Sequence, residues 1–276
     1  MPRKRKEEKE EKEDSSKKKV RKESIENSSK SISKISKRKS FDIDSWIDER
    51  LNDLAVKLEI EYLNLDKSLL KDIIKRIVEL LWEEDKRPDM DRLSNRIKRN
   101  IERLRTIIAQ MIIESGVSLS NEMLEYVTTS AGPWILSYAS SLYKIAKDRG
   151  REDLINIMRG AWVKWWIQIR GTEIPPECPR CKFNSLMSDG TCIVCGYTPS
   201  ASELLKYNNF DLYVDNLIKK GDLNRAKLIL EKGYVIISST GIKSPDEERY
   251  KFDIEVHLPT TYKEKILSHL KELGKT

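Results

Sequence analysis

The chain has 276 residues, and 38% of them are hydrophobic, which is enough for a buried core and excludes disorder over the full length. Its formal net charge of +7 comes from 52 Lys or Arg and 45 Asp or Glu. Residues 1–40 hold 16 of these cations and 8 of these anions, so 36 and 37 remain, and residues 41–276 have a net charge of −1. A function that rests on bulk positive charge is therefore excluded for the body of the chain.

The N-terminal segment, residues 1–40, consists largely of Lys, Glu and Ser. It cannot bury enough apolar surface to offset the entropy of ordering, so we expect a disordered tail. It also lacks the apolar run of a signal peptide. Because its clusters of cations alternate with runs of Glu, two roles stay open: a solubilising tail and a nucleic-acid-binding arm.

Residues 41–172 predict an all-α domain, because Leu and Ile recur at helical spacing and the connections are short. Asp and Ser residues stand where N-caps are needed, and Gly116 stands where a helix should end. Five helices are expected: from Asp44 through Leu58, from Asp66 to a point before Pro88, over 89–115, over 118–150 with a break at Gly132-Pro133, and over 152–169.

Four arginines form a continuous ridge on the third predicted helix, opposite its Leu and Ile stripe. They are Arg92, Arg96, Arg99 and Arg103, at positions i, i+4, i+7 and i+11. The ridge is a candidate surface for tracking nucleic-acid phosphates. It is equally placed to pair with Glu79, Glu83, Glu84 and Asp85 on the preceding helix, and the neutral charge of the body favours this second interpretation.

Aromatic and cationic residues alternate on the fifth predicted helix. Such a pattern suits stacking on unpaired bases. However, Trp162, Trp165 and Trp166 also fall at helical spacing with Ile155 and Met158, which first of all indicates a core face. We therefore expect these tryptophans in the core.

All four cysteines of the chain lie in two CxxC motifs that ten residues separate: Cys178, Cys181, Cys192 and Cys195. Each motif presents two thiolates from a tight turn, and two such turns supply the tetrahedral sulfur shell that Zn²⁺ prefers. Ser188-Asp189-Gly190 is suitable turn chemistry between two short strands, and Gly196 fits a position of positive φ. Four thiolates leave no open coordination position, so the predicted role of the single zinc is structural.

Residues 176–198 resemble the zinc-ribbon family, with its CPxC and CxxCG knuckles. Zinc ribbons occur in transcription factors, RNA polymerase subunits, primases and ribosomal proteins, so the resemblance implies a nucleic-acid context without selecting one. The segment from Cys192 to Pro199 also looks like a rubredoxin knuckle, which would hold iron. Rubredoxins separate their knuckles by many more residues, and zinc is therefore preferred.

Residues 201–276 predict two helices (201–219 and 223–232), a β-hairpin and a final helix (260–273). The hairpin is expected from 234–239 and from the strict alternation of residues 250–258. The segment from Leu223 to Val235 resembles the recognition helix and first wing strand of winged-helix domains. That resemblance implies groove contacts from Asn224, Arg225 and Lys227, and a wing contact from Lys243. The acidic wing residues depart from it, and a small α+β interaction domain is the alternative.

The predicted fold class is mainly α: a helical bundle, a small β zinc ribbon and a small α+β, winged-helix-like domain after a disordered tail. The domain boundaries are predicted at 1–40, 41–172, 173–200 and 201–276. Grouped cysteines favour a reducing, cytoplasmic (or nuclear) location. Two Gln against abundant Lys, Glu and Ile are typical of thermophile proteins.

No catalytic motif stands out, so a non-enzymatic role is expected, without a small-molecule substrate or a membrane partner. The preferred function is a nucleic-acid-associated accessory factor in transcription, replication or RNA metabolism, with DNA or RNA and a larger protein complex as partners. The alternative is a protein–protein adaptor or scaffold subunit with no direct nucleic-acid contact.

Overall fold

The computed structural model describes residues 41–82 and 86–272. Within these ranges the chain is mainly helical and carries one small antiparallel sheet. The elements in chain order are α1 (Ile43–Asp48), α2 (Leu51–Lys57), a 3-10 helix (Glu61–Leu63), α3 (Lys67–Leu81), α4 (Met90–Glu114), α5 (Asn121–Thr129), α6 (Ile135–Asp148), α7 (Glu152–Arg170), α8 (Ala201–Tyr207), α9 (Phe210–Lys219), α10 (Leu223–Lys232), β1 (Tyr234–Ser238), β2 (Gly241–Lys243), β3 (Ile254–His257) and α11 (Thr260–Glu272).

Two sequence-based predictions lie wholly or partly beyond those limits. The predicted disordered tail, residues 1–40, is outside the described residues. So are the acidic residues Glu83, Glu84 and Asp85, which are proposed partners of the arginine ridge. Among the described helices, none has the length and apolar content that a bilayer crossing requires.

The helix starts follow local capping chemistry. Asp66, Asp89 and Ser120 cap α3, α4 and α5 through side-chain oxygens that accept backbone N–H groups, as predicted. The predicted N-cap at Asp44 is wrong: Asp42 caps α1, and the Asp44 carboxylate instead accepts from Lys75 Nζ at 2.9 Å. Hydrogen bonding to Lys75 holds the pKa of Asp44 below its usual value.

The first predicted helix is divided into α1 and α2. The Arg50 N–H bonds to the carbonyl of Ile47 instead of Trp46, and Arg50 has a non-helical φ of −124°. The Trp46 carbonyl that this releases accepts from Arg50 Nη1, and the guanidinium lies 5.1 Å from the centre of the Trp46 ring. The break therefore has its own hydrogen-bond partner, which a spacing rule for apolar residues does not register.

The longest helix, α4, lies against α3 on one side and α5 on the other, while α6 and α7 pack along each other. The apolar stripe predicted on α4 is buried at Leu93, Ile97, Leu104 and Ile108. From Trp46 to Leu270, buried side chains form one continuous apolar cluster that includes residues of the Cys segment. The helices, the Cys segment and the C-terminal sheet thus share a core.

The predicted break at Gly132-Pro133 is confirmed as the turn between α5 and α6. A Cβ atom at position 132 would overlap Thr106 Cγ2 on α4 and lie 2.9 Å from Trp134 Nε1. The Trp134 indole in turn donates to the Thr106 carbonyl at 3.3 Å. Only glycine lets this turn approach α4 so closely.

In the C-terminal part, the predicted helix over 201–219 is divided at Asn209, which takes left-handed geometry (φ 54°) between α8 and α9. The β1–β3 pairing confirms the hairpin, with Val235 opposite Val256. The alternation also holds, since Ile254 and Val256 are buried while Glu255 and His257 are exposed. The additional strand β2 pairs on the other side of β1, and its three residues are too few to show a period of two.

We expect Gly132→Ala to lower the free energy of unfolding by roughly 1–3 kcal/mol, because the added methyl group must displace Thr106 or Trp134. The matched control is Gly160→Ala inside α7, where an added Cβ meets nothing within 4 Å. That substitution should instead raise the free energy of unfolding by roughly 0.5–1 kcal/mol. Denaturant unfolding of both variants measures the difference, and equal effects would contradict the close approach.

Candidate metal centre and neighbouring surfaces

The two CxxC motifs fold into knuckles with the same hydrogen-bond pattern. In the first, the N–H of Lys182 donates to the carbonyl of Cys178, and the Cys178 N–H donates to the carbonyl of Phe183. In the second, the N–H of Gly196 donates to the Cys192 carbonyl, and the Cys192 N–H donates to the carbonyl of Tyr197. The residue after each motif has positive φ, 64° at Lys182 and 69° at Gly196. The prediction for Gly196 is therefore confirmed, and its counterpart Lys182 was missed because that position is not a glycine.

The turn between the knuckles also follows the sequence. Thr191 N–H bonds to the Asp189 carboxylate at 2.9 Å, and Gly190 N–H bonds to the Met187 carbonyl at 2.8 Å. The two predicted strands are reduced to isolated bridges, Glu177 with Asn184 and Leu186 with Cys192. So short a segment forms few ladder bonds of its own, and it needs other contacts to hold its shape.

The four knuckle thiols meet at one point. Their Sγ atoms all lie within 4.8 Å of one another, with 3.8 Å between Cys178 and Cys195 and 3.5 Å between Cys181 and Cys192. A tetrahedron with metal–sulfur bonds of about 2.3 Å has sulfur–sulfur edges of about 3.8 Å. The donor set and its spacing therefore fit a metal ion with four thiolate ligands, as in a zinc ribbon.

The thiols cannot all ionise without such a cation. Hydrogen bonds to Cys178 and Cys192, together with burial, raise the pKa of the Cys181 thiol. The bonds from Cys178 and Cys181 lower the pKa of Cys192, whose sulfur also lies 3.1 Å from Ser185 Oγ. One thiolate is thus stabilised by protonated neighbours. A dication would replace those protons and hold all four sulfurs as thiolates.

Helix α7 anchors the Cys segment through three side chains. Arg159 Nε donates to the Cys181 carbonyl, Trp162 Nε1 to the Asn184 carbonyl and Trp166 Nε1 to the Glu173 carbonyl, each at 2.9 Å. The Trp162 ring also meets Phe183 edge-on, with the ring centres 6.1 Å apart. The expectation that the tryptophans belong to the core is confirmed for Trp162 and Trp166, which are 1% and 3% exposed. Trp165 is half-buried.

The opposite side of the Cys segment contacts α8. The Tyr207 hydroxyl donates to the Glu177 carboxylate, and Lys182 Nζ lies 3.7 Å from the centre of the Tyr207 ring. Burial and this hydrogen bond raise the pKa of Tyr207 above its usual value. The metal centre therefore stands between the helical bundle and the C-terminal part and contacts both.

The arginine ridge of α4 is divided in its contacts. Arg96 is half-buried: its guanidinium lies 4.9 Å from the centre of the Trp82 ring, and it donates to the Leu81 carbonyl. Arg92, Arg99 and Arg103 are exposed, and in the described part of the chain no carboxylate lies within 4 Å of them. Glu79, the one described member of the proposed acidic partner set, therefore does not pair with them.

The residues that the winged-helix resemblance selects also differ in exposure. Asn224 and Lys227 are exposed on α10. Arg225 pairs with Asp222 and with Asp246, and the proximity of Asp246 keeps the pKa of Arg225 high. Lys243 pairs with Asp253 at 2.9 Å, and their side chains are only 13% and 4% exposed.

The β2–β3 loop, which would be the wing, packs against the rest of the molecule. Phe252 meets Trp166 edge-on with the ring centres 5.4 Å apart, and the Lys251 N–H donates to Glu173 Oε2 at 3.2 Å. Sequence reasoning missed this contact, since Trp166 and Phe252 are 86 positions apart in the chain.

No known protein family, curated protein or solved structure matches this chain in comparisons of sequence and fold. The site is therefore interpreted from its own geometry. The zinc-ribbon-like arrangement rests on the four clustered thiols, and the winged-helix assignment stays a prediction.

We expect Lys243→Ala to lower the free energy of unfolding by roughly 3 kcal/mol, because it leaves the Asp253 carboxylate buried without its cation. The control Lys227→Ala removes an exposed cation of the neighbouring helix and should change stability by less than about 0.5 kcal/mol. Denaturant unfolding of both variants is the measurement. If Lys243→Ala were as stable as Lys227→Ala, Lys243 would be free to act on a wing.

Proposed function

We propose that this protein is a non-enzymatic, nucleic-acid-associated accessory factor of transcription, replication or RNA metabolism, built around one structural zinc ion and acting in a larger complex. The observation that carries the proposal is the exposed arginine surface of α4, defined by Arg92, Arg99 and Arg103. We further propose a cytoplasmic location, because a reducing compartment keeps the four thiols available to a metal.

The arginine surface has the dimensions and chemistry of a phosphate-binding track. From Arg92 to Arg103 the helix advances about 17 Å, at about 1.5 Å per residue. A nucleic-acid strand presents a phosphate about every 3.4 Å along its axis, so the track meets several phosphates at once. Arginine binds phosphate through paired N–H donors, and phosphate contacts of this kind are independent of sequence. The surface therefore favours non-specific backbone binding to DNA or RNA.

The C-terminal helix α10 is the second candidate contact. Asn224 and Lys227 are the two members of the proposed recognition set that are exposed. Arg225 and Lys243 are engaged in ion pairs, so we propose no base contacts from them. A winged-helix mode would thus involve the helix more than the wing.

The metal would act structurally. Four thiolates fill a tetrahedral shell, so Cys178, Cys181, Cys192 and Cys195 would leave Zn²⁺ no position for water or substrate. Three of these cysteines are buried and Cys195 is half-buried, as suits a closed site.

An adaptor function without nucleic-acid contact is the second candidate. It is favoured by the internal pairing of Arg225 and Lys243 and by the docking of the β2–β3 loop on Trp166, which leave fewer cations exposed near the predicted wing. The two functions differ in salt dependence, because binding through phosphates releases counterions and weakens steeply as salt rises.

We expect Arg99→Glu plus Arg103→Glu to weaken binding of a 20-nucleotide single strand and to lower the slope of log affinity against log salt by about 1.4, or about 0.7 per phosphate contact. The control Lys219→Glu plus Lys220→Glu makes the same charge change at exposed positions at the end of α9. Fluorescence anisotropy at several salt concentrations measures both variants. The absence of binding to single-stranded DNA, duplex DNA and RNA at low salt would exclude the proposed function in favour of the adaptor.

A deletion of residues 1–40 separates the tail from the body in the same assay. The tail carries a net charge of +8. If α4 supplies the specific phosphate track, the truncated chain should still respond to Arg99→Glu plus Arg103→Glu. If binding disappears with the tail alone, the track is not the binding surface.

For the metal, we expect about one zinc ion per chain. Cys178→Ser plus Cys192→Ser should abolish zinc binding and release the contacts that Trp162 and Trp166 make with the Cys segment. Metal analysis and tryptophan fluorescence are the measurements. A matched control is Ser188→Ala in the turn between the knuckles, which should retain zinc. Normal fluorescence and folding in the double variant would contradict a structural zinc.

A further inference from the structure

A cleft of about 640 Å³ opens where three parts of the chain meet: the end of α7, the second knuckle and the β2–β3 loop. Its size is that of an ordinary small-ligand or peptide side-chain pocket. Its lining is half apolar and carries two cations; the residues that matter here are Leu136, Arg170, Met187, Ile193, Lys251 and Phe252.

The apolar side of the cleft includes a side chain that its own knuckle does not need. Cys192 and Cys195 turn toward the metal centre and Val194 is 2% exposed, whereas Ile193 is 44% exposed. Single exposed aliphatic residues are common on protein surfaces. Here, however, Ile193 lines a concavity together with Leu136 and Met187, both half-buried, so a partner side chain would be surrounded by apolar atoms.

The charged side of the cleft is positive. The Arg170 guanidinium lies 5.4 Å from the centre of the Trp166 ring, and Lys251 Nζ lies 5.3 Å from the centre of the Phe252 ring. The carboxylate of Glu173, also in the lining, accepts the backbone N–H of Lys251 at 3.2 Å. Within the described residues, neither Arg170 nor Lys251 has a carboxylate within 4 Å. Two cations thus stand beside an apolar pocket.

We propose that this cleft docks an acidic segment of a partner protein that inserts one large aliphatic or aromatic side chain beside Ile193 and places carboxylates near Arg170 and Lys251. A nucleic acid fits less well. Trp166 is buried and the cations lie against both aromatic rings, so the cleft offers no free ring face for base stacking. The apolar part would also stay unfilled by phosphates. This inference does not depend on nucleic-acid binding by α4.

The test is a selection of random 12-residue peptides, displayed on phage, on the full-length zinc-loaded protein. The cleft variant is Ile193→Ser plus Lys251→Glu. The matched control is Ile157→Ser plus Lys206→Glu, which changes an equally exposed Ile of α7 (42%) and an exposed Lys of α8, neither of which lines the cleft. Enriched peptides are then synthesised with a fluorescent label and titrated with each protein.

We expect the enriched peptides to share one large apolar residue flanked by Asp or Glu. Their affinity should fall by about tenfold or more in the cleft variant and stay unchanged in the control. Zinc content checks that the knuckle is intact, and Lys251→Glu alone serves if Ile193→Ser loses metal. The proposal is wrong if no peptide is enriched over the cleft variant, or if enriched peptides bind both variants equally. It is also wrong if the cleft variant loses affinity for a 20-nucleotide single strand rather than for peptides.

Discussion

The contact between Trp162 and the Cys segment is the one on which the arrangement of this molecule depends. The buried indole donates to the Asn184 carbonyl and meets Phe183 edge-on, and Phe183 meets Tyr143 of α6 at 5.9 Å. A segment with only two isolated β-bridges cannot fix its own position. Its orientation comes from α7, whose aromatic face supplies a large buried area and whose N–H groups satisfy backbone carbonyls that the short segment leaves free.

The metal centre and the bundle therefore stabilise each other. The cluster of thiols closes the two knuckles, and the closed knuckles present the Asn184 and Cys181 carbonyls to Trp162 and Arg159. On the far side, Glu177 and Lys182 meet Tyr207 of α8. Loss of the metal would consequently be felt at both neighbours, which is why tryptophan fluorescence reports on a site that contains no tryptophan.

Charge is used in two ways on this neutral body. Arg225 and Lys243 are paired with carboxylates, and the buried pair of Lys243 with Asp253 joins β2 to the loop that follows it. Arg92, Arg99 and Arg103 lie on a helix surface where no described carboxylate is within reach. Long-range attraction is weak for a body of net charge −1, so binding to nucleic acid would depend on such local surfaces and on the tail.

From the sequence alone followed those features that depend on neighbours in the chain. The helices, the N-caps at Asp66, Asp89 and Ser120, the break at Gly132 and the four-thiol cluster all reflect local spacing or local hydrogen bonding. The divisions at Arg50 and Asn209 and the short strand β2 were not foreseen, because a side chain or a three-residue pairing decides them. Only the tertiary structure decided which cations are exposed, how α7 holds the Cys segment and where the cleft opens, since Trp166, Ile193 and Phe252 meet across long stretches of sequence.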